Sequence, residues 1–183
     1  MAHSGIFDQR QRFWVGEALK VAETLAEKYF EVDLDDFEMF PFDLQTLENL
    51  QGPEKTRRAL AQVCKYEYQK ASQPEKCSLK QFYRICLQDD KILNRTQEET
   101  PEILKPLLLY VISHELIHVI RFSMDPGRFH LSLKEKRAEE KNVHRMTDEL
   151  LRTFKDPWVE LLLNRYRRCW DRPAEDSGNI QGP

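Results

Sequence analysis

Apolar residues near the start of the chain recur every three or four places: Trp14, Ala18, Val21, Ala22, Leu25 and Tyr29. That spacing predicts an amphipathic helix from Asp8 to Phe30, with Asp8 placed to cap it. Asp33 to Phe42 alternates acids with aromatics, and Pro41 bars a helix from running through it. It reads as a connection whose aromatics pack on the core, in preference to a partner-binding motif. A second helix is expected from Pro53 to Ala71, opened by Pro53 and ended by Ser72-Gln73-Pro74. In Phe82–Asn94 the period changes: Tyr83, Ile85 and Leu87 alternate, Gln88-Asp89-Asp90-Lys91 offers a turn, and Ile92-Leu93-Asn94 follows. This pattern predicts a β-hairpin.

Thr100-Pro101-Glu102 signals another helix start. Pro106 either kinks that helix or opens a new one; both options leave Leu107 to Ile120 helical. Asp125-Pro126-Gly127 should end it near Phe122-Ser123. Two more helices are expected, Leu133 to Phe154 with Val143, Met146, Leu150 and Phe154 on its apolar face, and Pro157 to Trp170. Arg165, Arg167 and Arg168 fall in the last turns, as a solvated face that suits the helix dipole. The polar tail from Asp171 to Pro183 is expected to be disordered. The fold class expected is α+β, predominantly helical: a single domain over 1–170, with a small hairpin or sheet beside the apolar helix.

Composition narrows the classes. A chain of 183 residues, 40% apolar and 32% charged, is long enough for a sizeable core and ordinary for a helix-rich soluble protein. A net charge of −3 gives no support to general nucleic-acid binding. The apolar run Leu107–Ile112 is too short to span a bilayer. Met1-Ala2-His3-Ser4-Gly5 lacks the features of a signal peptide, so a cytoplasmic location is expected. Cys64, Cys77, Cys86 and Cys169 show no C-x-x-C spacing and read as reduced packing thiols. Oligomeric state is not legible.

The chemistry concentrates in His114-Glu115-Leu116-Ile117-His118, set inside the apolar stretch Leu107–Ile120. Residues four apart on a helix stack on one face, so His114 and His118 present two imidazoles to one point. A zinc ion takes two of its ligands in that way. Glu115 is rotated about 100° from His114 and can reach a water in an open metal position as general base. Burying two imidazoles and a carboxylate without partners would cost several kcal/mol, a penalty that a metal removes.

A catalytic zinc needs a third protein ligand and one open position. A His ten residues after His114 is ruled out as the source, because position 124 is Met124 and the Gly expected three before it is Arg121. The next helix offers Glu139, Glu140 and His144, and the loop offers His130. Glu140 and His144 share a face, whereas Glu139 falls in the charged run Lys134–Lys141 and reads as solvated. Candidates for stabilising a developing oxyanion are Tyr110, Arg145 and His144.

Val111 to Ile120, with uncharged residues everywhere except the His and Glu positions, resembles the longer pattern of the zincins, zinc metallopeptidases. In the gluzincin type the third ligand is a Glu on a second helix, with a polar residue one turn later that orients a ligand His. Glu140 followed by His144 resembles that arrangement. Glu139 to Leu151 is also loosely similar to the ligand helix of ImmA/IrrE-type cytosolic zincins, although the Ala-Asn step usual after that ligand is missing here. The resemblance implies a zincin-like domain, a bound Zn2+, ligands His114, His118 and Glu140, with His144 as a second candidate or a supporting residue, and Glu115 as the general base. It implies peptide-bond hydrolysis by a zinc-activated water, on a peptide or protein substrate. Two other classes compete. A non-catalytic zinc domain would close the shell with His144 as a fourth ligand. A carboxylate-bridged di-iron protein would need a second Glu-x-x-His, but the residue three before His144 is Lys141.

Overall fold

The computed structural model describes residues 5–68, 80–97 and 101–170. It is a predominantly helical α+β fold. Five helices, α1 (Gln9–Phe30), α2 (Asp89–Gln97), α3 (Leu104–Met124), α4 (Leu133–Arg152) and α5 (Pro157–Trp170), accompany strands β1 (Phe42–Gln45), β2 (Ala61–Tyr68) and β3 (Lys80–Leu87). The expected tail and the Thr100 cap lie outside the described residues.

Helix α3 is the axis of the fold. Every residue from Pro106 to Ile120 is buried, because α1, α4, α5 and the sheet all pack on it. Each large side chain buried here, such as Leu108, Ile112, Leu116 and Ile117, contributes about 1.5–3 kcal/mol of hydrophobic stabilisation. By length and composition α3 could cross a membrane, yet it is mostly buried inside the fold. Pro106 does not open it. A 3-10 turn at Pro101–Ile103 leads into Leu104, and Pro106 falls in the first turn, where no N–H is needed.

The caps follow the sequence signals. Asp8 and Gln11 exchange bonds of 2.8 and 2.9 Å at the start of α1. Ser132 and Glu135 form the same box on α4. Helix α1 buries Val15, Ala18, Ala22 and Ala26. In the connection after α1, Leu34 and Phe40 pack on the core, but Phe37 and Met39 are exposed.

Two expectations are corrected. Pro53–Ala71 is not a helix. Gly52–Glu54 is a short 3-10 turn, and 61–68 is strand β2; residues 69–71 lie outside the described set. Ala61, Val63 and Lys65 stand opposite Leu87, Ile85 and Tyr83 and share a face, a two-residue period that Cys64 on the other face and charged Lys65 on this one obscure. Nor is Phe82–Asn94 a hairpin. Strand β3 is central in the order β1-β3-β2, parallel to β1 and antiparallel to β2, and the presumed turn begins α2. Gln88 and Asp89 are buried anchors. The Asp89 carboxylate accepts from Phe7 N at 3.0 Å and Leu47 N at 2.9 Å, tying two remote segments to the start of α2. Tyr83 seats the sheet on α3, donating its hydroxyl to Phe122 O at 3.1 Å.

Candidate metal centre

Helices α3 and α4 bring together three of the expected residues. His114 Nε2 lies 2.9 Å from Glu140 Oε1, and His118 Nε2 lies 3.2 Å from Glu140 Oε2. One donor atom from each of the three fits within a common 4.8 Å, a group able to hold a metal ion. The α3 backbone sets the two imidazoles edge to face, with ring centroids 4.9 Å apart. Both histidines are buried, whereas the Glu140 side chain is half exposed, so the centre opens to solvent on the α4 side.

Electrostatics support the gathering. Burial opposes the charge on Glu140, but hydrogen bonds from His114 and His118 hold its carboxyl well below the usual range. Burial likewise works against protonating His118, and the Glu140 and Glu115 carboxylates outweigh it and raise that group. The Nδ1 atoms of His114 and His118 are buried without a hydrogen-bond partner among the described residues.

Glu115 stands apart from the ligand group. It is buried at the wall of a cleft of about 400 Å³, together with His118 and Glu140, and burial raises its carboxyl above the usual range. The opposite wall of that cleft is the start of β2, through Ala61, Gln62 and Val63, with Ala59 just before it. Strand β2 is at the end of the sheet order, so this wall is a strand edge.

The remaining candidates separate clearly. His144 is outside the three-residue group; its Nε2 is 3.6 Å from Glu140 Oε1, and its Nδ1 meets the Tyr110 hydroxyl at 2.8 Å. Burial and the neighbouring His114 charge push its pKa down to about 4, which keeps the ring neutral. Arg145 is exposed and paired to Glu149 at 2.7 Å. His130 is exposed in the turn after α3. Glu139, expected on a solvated face, is buried. Arg121 bonds both its oxygens, at 2.5 and 2.8 Å, and Arg128 adds a third contact at 3.1 Å. Its neighbours in the charged run hid this, because the partner Arg121 sits on another helix. The basic partners hold the Glu139 carboxyl below its ordinary range, Arg121 most strongly.

Sequence reasoning missed the contributions of β2 and Ala59 to the cleft, because a helix was read over them. No family model, curated protein or solved structure matches the chain.

Proposed function

We propose that this chain is a zinc-dependent metallopeptidase of the zincin type, acting on peptide or protein substrates in the cytoplasm. The observation that carries the reading is the meeting of His114, His118 and Glu140 at a cleft that also holds Glu115 and a strand edge. Two imidazoles and a carboxylate suit zinc, whereas calcium and magnesium prefer oxygen donors throughout. When bound, zinc supplies Lewis-acid polarisation of a carbonyl and a water acidified toward neutrality.

The protein's own groups do the rest. Glu115 lies beside His114 in sequence and outside the ligand group, so its carboxylate is free to take a proton from water and pass it to the departing amine. The edge of β2 holds an extended peptide by strand addition, with main-chain bonds supplying affinity. Where the Tyr110 hydroxyl, 2.8 Å from His144 Nδ1, serves as the donor, the ring carries its proton on Nε2. That N–H then faces the centre as a donor to a developing oxyanion.

A closed, structural zinc site is the second reading, favoured by the 3.6 Å approach of His144 Nε2 to Glu140 Oε1. The two readings part on Glu115. In the peptidase, Glu115→Gln leaves zinc content unchanged and lowers cleavage of a denatured protein substrate by a factor on the order of 10²–10⁴. Undiminished cleavage in that variant, or release of the metal, contradicts the proposal.

A further inference from the structure

The cleft does not end at β2. Ala59, which lines it beside the candidate metal centre, also lines a second cleft of about 310 Å³. The second cleft is walled by Arg57, Arg58, Lys91 and Arg95, with no acidic residue among the described residues of its lining. Arg57 and Arg58 are exposed, and among the described residues neither has a carboxylate within ion-pair distance. Lys91 is paired to Asp90 at 2.8 Å, and Arg95 lies over the Tyr166 ring at 5.9 Å. The chain as a whole is acidic, at −3, so this concentration of cations is local. The adjacent charges of Arg57 and Arg58 repel one another, and an anionic ligand offsets that repulsion.

We infer that Arg57 and Arg58 are specificity-determining residues, which bind an acidic stretch of the polypeptide whose adjoining segment lies along β2. The inference rests on the proposed peptidase reading and names its substrate class: extended polypeptides with clustered Asp or Glu on one side of the cleaved bond. Continuity decides the occupant. A chain paired along Ala61–Val63 and continued past Ala59 enters the basic cleft within a few residues, since an extended residue spans about 3.3 Å. Guanidinium groups meet carboxylates with two parallel hydrogen bonds, which gives recognition as well as attraction. Salt weakens such exposed contacts.

The test is fluorescence anisotropy with the full chain. The probes are labelled extended peptides carrying a run of glutamates at either end, and the same peptides with glutamines. At least one glutamate peptide should bind about tenfold more tightly than its glutamine counterpart at low salt. The difference should vanish in Arg57→Glu/Arg58→Glu, with zinc content and circular dichroism unchanged. If that double variant fails to fold, Arg57→Gln/Arg58→Gln replaces it and should remove most of the difference. Equal binding of glutamate and glutamine peptides overturns the inference, as does a difference that survives in the arginine variants. An oligonucleotide of equal charge that binds more tightly than the peptide also overturns it. Cleavage is followed in parallel by mass spectrometry. Charge-dependent binding without cleavage supports this assignment and refutes the peptidase reading, so the two failures are distinct.

Discussion

Arg121 on α3 grips Glu139 on α4 through both carboxylate oxygens, at 2.5 and 2.8 Å. The next residue, Glu140, is the one that reaches His114 and His118. The partly buried ion pair therefore sets the rotation and height of α4 against the histidines. Losing Arg121 leaves Glu139 with Arg128 alone, so the cost is that of charge-assisted hydrogen bonds and not of a stranded buried charge. Arg121→Met should lower unfolding free energy by about 1–3 kcal/mol in urea melts and weaken zinc affinity as well. An unchanged melt would show that the pair does not hold α4.

The same pair makes stability depend on pH. The Glu139 carboxyl is held below its ordinary value of 4.5, so its contribution is fully present above that value. The contribution is lost as pH falls through the lower, folded value. Thermal melts between neutral pH and pH 3 should show a steep acid loss in the parent chain and a shallower one in Glu139→Gln. Equal acid dependence in the two would remove Glu139 from the account.

Ile112 lies on α3 two residues before His114 and is fully buried. Ile112→Ala leaves a cavity in a helix that is surrounded on all sides. Denaturant unfolding should show a loss of about 3 kcal/mol, within the usual range for such truncations. A loss under about 1 kcal/mol would mean that the packing around α3 is looser than described.

Glu115→Gln preserves shape and polarity but cannot take up the proton from water. Peptidase activity should fall by a factor on the order of 10²–10⁴, with zinc content and melting temperature nearly unchanged. Metal analysis beside the activity assay checks both halves of the claim.

The helices were legible where one face is apolar or all faces are. Helix α1 shows its period in small residues such as Ala18 and Ala22, and α3 is apolar all round because the fold encloses it. Strand β2 was not legible, since Cys64 and Lys65 interrupt the alternation; the Lys65 charge sits over the Phe129 ring, with Nζ 5.7 Å from the centroid. Asp89 and Asp90 read as turn residues because the two backbone N–H groups that Asp89 accepts come from Phe7 and Leu47, far away in sequence. The same limit applied at Glu139. A charged residue in a charged run looks solvated until its partner on another helix is known. The spacing of His114 and His118 is local to one helix and could be read directly, whereas the edge strand and the basic cleft depend on tertiary packing.

The central claim is an open zinc centre made by His114, His118 and Glu140. X-ray absorption spectroscopy of the zinc-loaded chain tests it most directly. The account predicts two imidazole nitrogens and light oxygen donors from Glu140 and water, with one imidazole lost in His118→Ala and no change in the imidazole count in His144→Ala. A third imidazole that disappears in His144→Ala, with no water in the shell, would contradict it and make the site structural.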